Sequence, residues 1–171
     1  SSAASDVYKR QGPMTDTNSA TRTIDASAND IFALLSDPSR HGETDNSGMV
    51  VSADTDAKLE KVGDIFVMNM TKEDGDYQTR NEVFAFQENK VIGWKNLANL
   101  TADVEVGAKW LYELSSEGAD STSVTLTYDR SEIASDEVRK MSEKFDDAVM
   151  EESLAALASA VGGTDNPTQK G

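Results

Sequence analysis

The chain has 171 residues, of which 37% are apolar and 27% charged, and a formal net charge of −15. That length and composition suit one globular domain, and a negative potential of this size repels nucleic-acid phosphates and anionic lipid headgroups alike, so no nucleic-acid partner is expected. Cysteine is absent, which removes disulfides and a thiolate nucleophile. No apolar run approaches membrane-spanning length, so the sequence predicts a cytoplasmic protein with no membrane insertion.

In chain order, residues 1–13 (SSAASDVYKRQGP) have no periodicity and stop before Met14; they read as a non-native or disordered leader. TRTID (21–25) is a short alternating strand. Ser27 caps a helix, ANDIFALLSDP, whose Ile31, Phe32, Leu34 and Leu35 form an apolar face and which ends at Asp37-Pro38. A turn or second short helix follows through SRHGETDNSG. Four candidate strands come next, at 49–53, 63–71 (GDIFVMNMT), 77–87 (YQTRNEVFAFQ) and 90–97 (VIGWKNL).

The stretch KWLYELSSEGADSTSVTLTYDRS (109–131) holds two alternating runs around a polar loop, the pattern of a β-hairpin with one apolar face. Trp110, Tyr112 and Leu114 share a face in the first run, and Val124, Leu126 and Tyr128 in the second. Ser135 then caps a long helix over about Asp136 to Val161, whose first half carries Val138, Met141, Phe145 and Val149 on one stripe. Its second half carries Met150, Leu154, Leu157 and Val161 on a stripe rotated by roughly a third of a turn. One straight helix cannot bury both, so either it bends near Met150 to Glu152 or its first half is a separate gate. GGTDNPTQKG (162–171) pairs helix-stopping glycines with Pro167 and reads as a disordered tail.

The order β, α, α, six strands and a long α, with IDASANDIFALLSDPSRH, GDIFVMNM, VIGW, KWLYEL / TLTYD and ESLAALASAV, resembles the SRPBCC superfamily. That superfamily includes START-related lipid-transfer domains, birch-pollen-type allergens and polyketide cyclases, and the resemblance is closest to bacterial polyketide cyclase/dehydrase-like members. It covers about residues 20–161 and implies an α+β helix-grip fold: a curved seven-stranded antiparallel sheet wrapped around a long C-terminal helix, with two short helices after the first strand. It also implies an internal cavity between sheet and helix.

Alternation selects the inward side chains. Phe66, Met68 and Met70 oppose Ile65, Val67 and Asn69; Thr79, Asn81 and Val83 oppose Arg80 and Glu82; Ile92, Trp94 and Asn96 oppose Gly93 and Lys95. The expected ligand-binding set is Phe32, Phe66, Met68, Met70, Asn81, Val83, Trp94, Asn96, Trp110, Tyr112, Tyr128, Met141 and Phe145. Tyr and Trp offer an apolar body with one hydrogen-bonding tip, and Met adapts to shape. Asn81 and Asn96 are the sharpest signals, because a buried amide without a partner costs about 1–3 kcal/mol.

Catalytic motifs are few. The single histidine, His41, and the lack of cysteine leave no basis for a zinc site of the usual kind, and no other metal or cofactor is expected. GxSxG, P-loop and GxGxxG patterns are missing. DTDAKLE (54–60) and KEDGDY (72–77) fail calcium-loop spacing and read as solvated turns. The resemblance places His41 near a cavity mouth, where it is a weak candidate for acid/base work on a bound carbonyl compound with Tyr112 or Tyr128 as donor; its polar neighbourhood predicts a mouth or surface position. The expected function is binding of a small hydrophobic molecule such as a lipid, polyketide or aromatic metabolite. The alternatives are an aromatase/cyclase-type enzyme using the same cavity and a protein-interaction module. Nothing in the sequence sets an oligomeric state.

Overall fold

The computed structural model describes residues 16–45, 47–54 and 57–162; the expected leader and residues 163–171 of the expected tail lie outside them. Eight strands form one antiparallel sheet: β1 (Thr17–Ile24), β2 (Val50–Ala53), β3 (Ile65–Lys72), β4 (Gly75–Gln87), β5 (Val91–Asn99), β6 (Val104–Glu105), β7 (Lys109–Gly118) and β8 (Ser121–Asp129). Seven of them run in the order β1-β8-β7-β5-β4-β3-β2, and the two-residue β6 pairs only with β5. The seven-stranded expectation thus describes the sheet apart from that short added strand. The helices are α1 (Ala28–Leu35), α2 (Asp136–Met141) and α3 (Asp147–Gly162), with 3-10 turns over Pro38–Thr44 and Ser142–Lys144.

Local chemistry accounts for the ends of these elements. The Ser27 hydroxyl accepts from the Asp30 amide at 3.0 Å and starts α1, and Asp37 accepts from the Ser39 amide to start the 3-10 turn. In that turn Pro38, His41 and Thr44 are buried, a spacing of three that matches three residues per turn.

The expected single terminal helix is corrected by the structure. α2 gives way to a 3-10 turn, the chain is non-helical at Phe145 and Asp146, and α3 restarts with the Asp146 carboxylate accepting from the Val149 amide at 3.0 Å. The break falls about one turn earlier than the expected bend at Met150 to Glu152. A buried arginine holds it: Arg130, 2% exposed, donates from Nε to Ser142 Oγ and from one terminal nitrogen to the carbonyls of Ser142 and Phe145, each at 3.1 Å. Carbonyls that would continue a helix are given to this guanidinium instead.

α3 lies along β1 with Met150, Leu154 and Leu157 fully buried, and Asp147 accepts from the Asn18 amide side chain and the Ser19 backbone. The core comprises these residues, the α1 face and the inward residues Val83, Ile92, Leu114, Val124 and Leu126. An irregularity between Val83 and Ala85, where β4 advances two residues for one on β5, resets the alternation, so Val83 and Phe86 both reach the core. Phe84 is left on the opposite face, over Gly93. A Cβ at Gly93 would meet Leu111 Cδ1, Phe84 Cζ and the Trp110 carbonyl oxygen, each at 2.9 Å. Gly93→Ala is therefore expected to cost about 1–3 kcal/mol in urea unfolding, with relief on adding Phe84→Leu; an unchanged midpoint would contradict the packing.

Candidate functional site

The concave face of the sheet brings most of the expected site residues together. Cross-strand partners run Phe66, Asn81, Asn96 and, one step along, Val83, Trp94, Trp110, Tyr128. Side chains paired this way share one face. The aromatics form two groups joined at the Trp94/Trp110 pair. In one, Trp94 stacks on His41 with ring centres 4.5 Å apart and touches Tyr112 at 5.7 Å, while Phe66 stands edge-on to both Trp94 and His41. In the other, Trp110, Tyr128 and Phe145 meet with centres 4.6 to 5.3 Å apart.

His41 does not lie at the surface, one of the two positions, mouth or surface, expected for it. It is 6% exposed, and its Nε2–H donates to the Leu35 carbonyl at 2.8 Å. The short 3-10 turn swings it under the sheet despite its polar neighbours. Burial pushes its pKa down to about 4, so the ring is neutral near pH 7. Burial also raises the Tyr112 hydroxyl well above its ordinary range, with the Thr44 side chain beside it, and raises Tyr128 to about 12. These phenols stay protonated and act as neutral hydrogen-bonding tips.

Burial is uneven across the face. Phe66, Met68, Asn81, Val83, Tyr112 and Tyr128 are sealed, whereas Met70, Trp94, Asn96, Trp110 and Phe145 remain half-buried. Asn96 and Asn81 are direct neighbours on β5 and β4, as the alternation predicts. Asn81 turns its Nδ2 toward the Thr79 hydroxyl at 3.3 Å, while Asn96 Oδ1 is buried with no hydrogen-bond partner among the described residues.

Two expected site residues fall elsewhere. Met141 on α2 is 55% exposed, although Val138, Phe145 and Val149 of the same stripe pack against the core. Phe32 packs edge-on against Phe86 at 5.2 Å, away from both aromatic groups. Sequence reasoning missed two others: Tyr77, half-buried opposite Met70, and Arg130. Tyr77 was available as the first residue of the run Tyr77, Thr79, Asn81, Val83.

Two surface depressions lie at the other end of the fold. One, of about 590 Å³, is bounded by Ser27, Asn29, Lys90, Leu114 and Ser116; the second, of about 450 Å³, by Phe32, Leu59, Phe86 and Glu88. Both sit near the β4–β5 turn, the opposite end of β4 from Tyr77. Among the described residues no cluster of three or more His, Cys, Asp or Glu forms a metal site, and no helix is long and apolar enough to cross a membrane.

No family model matches the chain. An uncharacterized protein of Mycobacterium tuberculosis, Rv0088, is 32% identical over 107 residues, which cover 62% of this chain and 44% of that protein; the chain thus spans less than half of that relative's length. Among solved structures, a protein from Arthrobacter aurescens superposes with a TM-score of 0.69 at 16% identity, covering 88% of each chain. The Zhui aromatase/cyclase from Streptomyces sp. R1128 superposes with a TM-score of 0.63 at 15% identity, covering 89% of this chain and 96% of its own. The di-domain ARO/CYC StfQ of the steffimycin biosynthetic pathway reaches 0.59 at 14% identity over 84% of this chain and 44% of its own. At such identities these likenesses carry the fold alone.

Proposed function

We propose, from the helix-grip fold that this chain shares with the SRPBCC superfamily and its polyketide-cyclase-like structures, that it binds a small hydrophobic molecule on the concave face of its sheet. The observation that carries this reading is the uneven burial. The inward aromatics Trp94 and Trp110, with Asn96 and Phe145, stay half-buried in the middle of a face whose flanking residues Val83 and Tyr128 are sealed. A face built only for folding gains by closing such rings completely.

Entry is through the corner between α2 and α3. Phe145 covers Trp110 and Tyr128 there, on a non-helical link that can move without unwinding either helix. Covering roughly 300 Å² of apolar ligand surface favours binding by about 7 kcal/mol gross, less several kcal/mol for association. The shared fold alone favours an aromatase/cyclase reading, but the one imidazole is neutral, stacked and committed to a backbone carbonyl. Binding without catalysis is the better supported function.

Native mass spectrometry of protein purified from its own host is the direct test, with a co-purifying small molecule as the expected result. In parallel, Trp110→Ala should weaken binding of the neutral dye Nile red by about tenfold or more while costing less than the roughly 3–5 kcal/mol of a sealed core aromatic. No co-purified molecule and full loss of stability with no change in dye binding would refute the reading.

A further inference from the structure

We infer that Asn96 and Asn81 form the polar end of this ligand site and select a neutral, largely apolar molecule carrying a hydroxyl donor, over its ether and carboxylate counterparts. The inference deepens the binding function proposed above and rests on it.

Asn96 Oδ1 is an acceptor shielded from solvent with no hydrogen-bond partner among the described residues, so a ligand group that reaches it gains most by supplying an O–H or N–H. The residue is held firmly: its backbone amide donates to the Ala108 carbonyl at 2.7 Å, and its carbonyl accepts from Gly107 at 2.8 Å. Its neighbour on the β7 side is the small Ala108, just before that strand, and its neighbour across β4 is Asn81.

Directly opposed side chains of this kind have Cβ atoms about 4.5–5.5 Å apart, a span one hydroxyl can bridge. The hydroxyl donates to Asn96 Oδ1 and accepts from Asn81 Nδ2, whose present contacts with Thr79, at 3.3 Å to the hydroxyl and 3.5 Å to the carbonyl, are long. An ether has no proton to give. A carboxylate would set a negative charge against an empty acceptor in a chain of net charge −15. Trp94, two residues before Asn96 on the same face, supplies a flat apolar wall for a ring bearing the hydroxyl.

The test titrates the full chain with 1-naphthol, 1-methoxynaphthalene and 1-naphthoate, read by calorimetry. Naphthol is expected to bind about tenfold more tightly than methoxynaphthalene, with naphthoate weakest, and Asn96→Leu should bring naphthol down to the methoxynaphthalene level while leaving the latter unchanged. Should that variant misfold, the ranking of the three probes on the unaltered protein still decides. Equal binding of naphthol and methoxynaphthalene would overturn the hydroxyl selection and leave the binding function standing. Binding of none would overturn both.

Discussion

Acidification from about pH 6.5 to about pH 4 is expected to remove on the order of 3 kcal/mol of folding stability through His41 alone, at about 1.4 kcal/mol per pKa unit. The folded protein holds His41 near pKa 4, against an ordinary 6.5, because the ring is buried under the sheet. As pH falls below 6.5 the unfolded chain takes up the proton and the folded chain does not, so stability present above pH 6.5 is lost down to about pH 4 and then levels off. Carboxylates whose pKa is lowered, such as Glu132 at about 2 between Lys109 and Lys95, act below about pH 4.5 and do not share most of this window. Urea unfolding at pH 7, 5.5 and 4 measures the effect. His41→Phe keeps a ring against Trp94 and should flatten the slope between pH 6.5 and 4.5, at the cost of a lower starting stability from the orphaned Leu35 carbonyl. Parallel slopes for the two proteins would exclude a buried, neutral His41.

Arg130→Met is expected to cost about 3 kcal/mol or more. The substitution preserves bulk but strips donors from Ser142 Oγ and from the carbonyls of Ser142 and Phe145; the Ser142 carbonyl keeps the Phe145 amide, and each of the other two acceptors left alone costs about 1–3 kcal/mol. Lysine does not restore them, because a single ammonium cannot reproduce the planar fork. The damage should be local. Hydrogen exchange over residues 136–146 should rise far more than exchange in β4, β5, β7 and β8, and Nile red should enter faster through the loosened corner. Uniform protection loss across the sheet would instead make Arg130 part of the global core.

The strands, the hairpin at 109–129 and the first helix were legible because alternation, turn residues and the Ser27 cap all point the same way there. The inward placement of Trp94, Trp110, Tyr112, Asn81 and Asn96 follows from that alternation. What sequence alone hid was set by non-local contacts or by short, irregular backbone. A residue at 130 determines where the helix breaks at 142–146, although Asp146-Asp147 was a visible capping signal and the rotated stripes required an interruption. His41 was misplaced because polar neighbours were weighed by composition. The three-residue spacing Pro38, His41, Thr44 carried the correct orientation, readable once the turn is taken as 3-10. The shift of alternation at Phe84 has no strong local marker at all.

The pairing of β1 with β8 has a consequence for how the chain is made. Thr21 on the first strand and Thr125 on its partner are 104 residues apart and joined by a hydrogen bond. At synthesis rates of about 5–20 residues per second, β1 leaves the ribosome roughly 5–20 s before the strand it will pair with exists. The contacts β3–β4 and β7–β8 are hairpins that close locally, but this one can form only once β8 has been made and at high loop entropy. The waiting segment, TNSATRTI, is the strand one would choose for that interval: six of its eight residues are polar or charged. An exposed edge of this composition is a poor template for pairing with other nascent chains. Exchanging its outward Ser19 and Thr21 for Val should therefore leave the finished fold intact while lowering the soluble yield during expression.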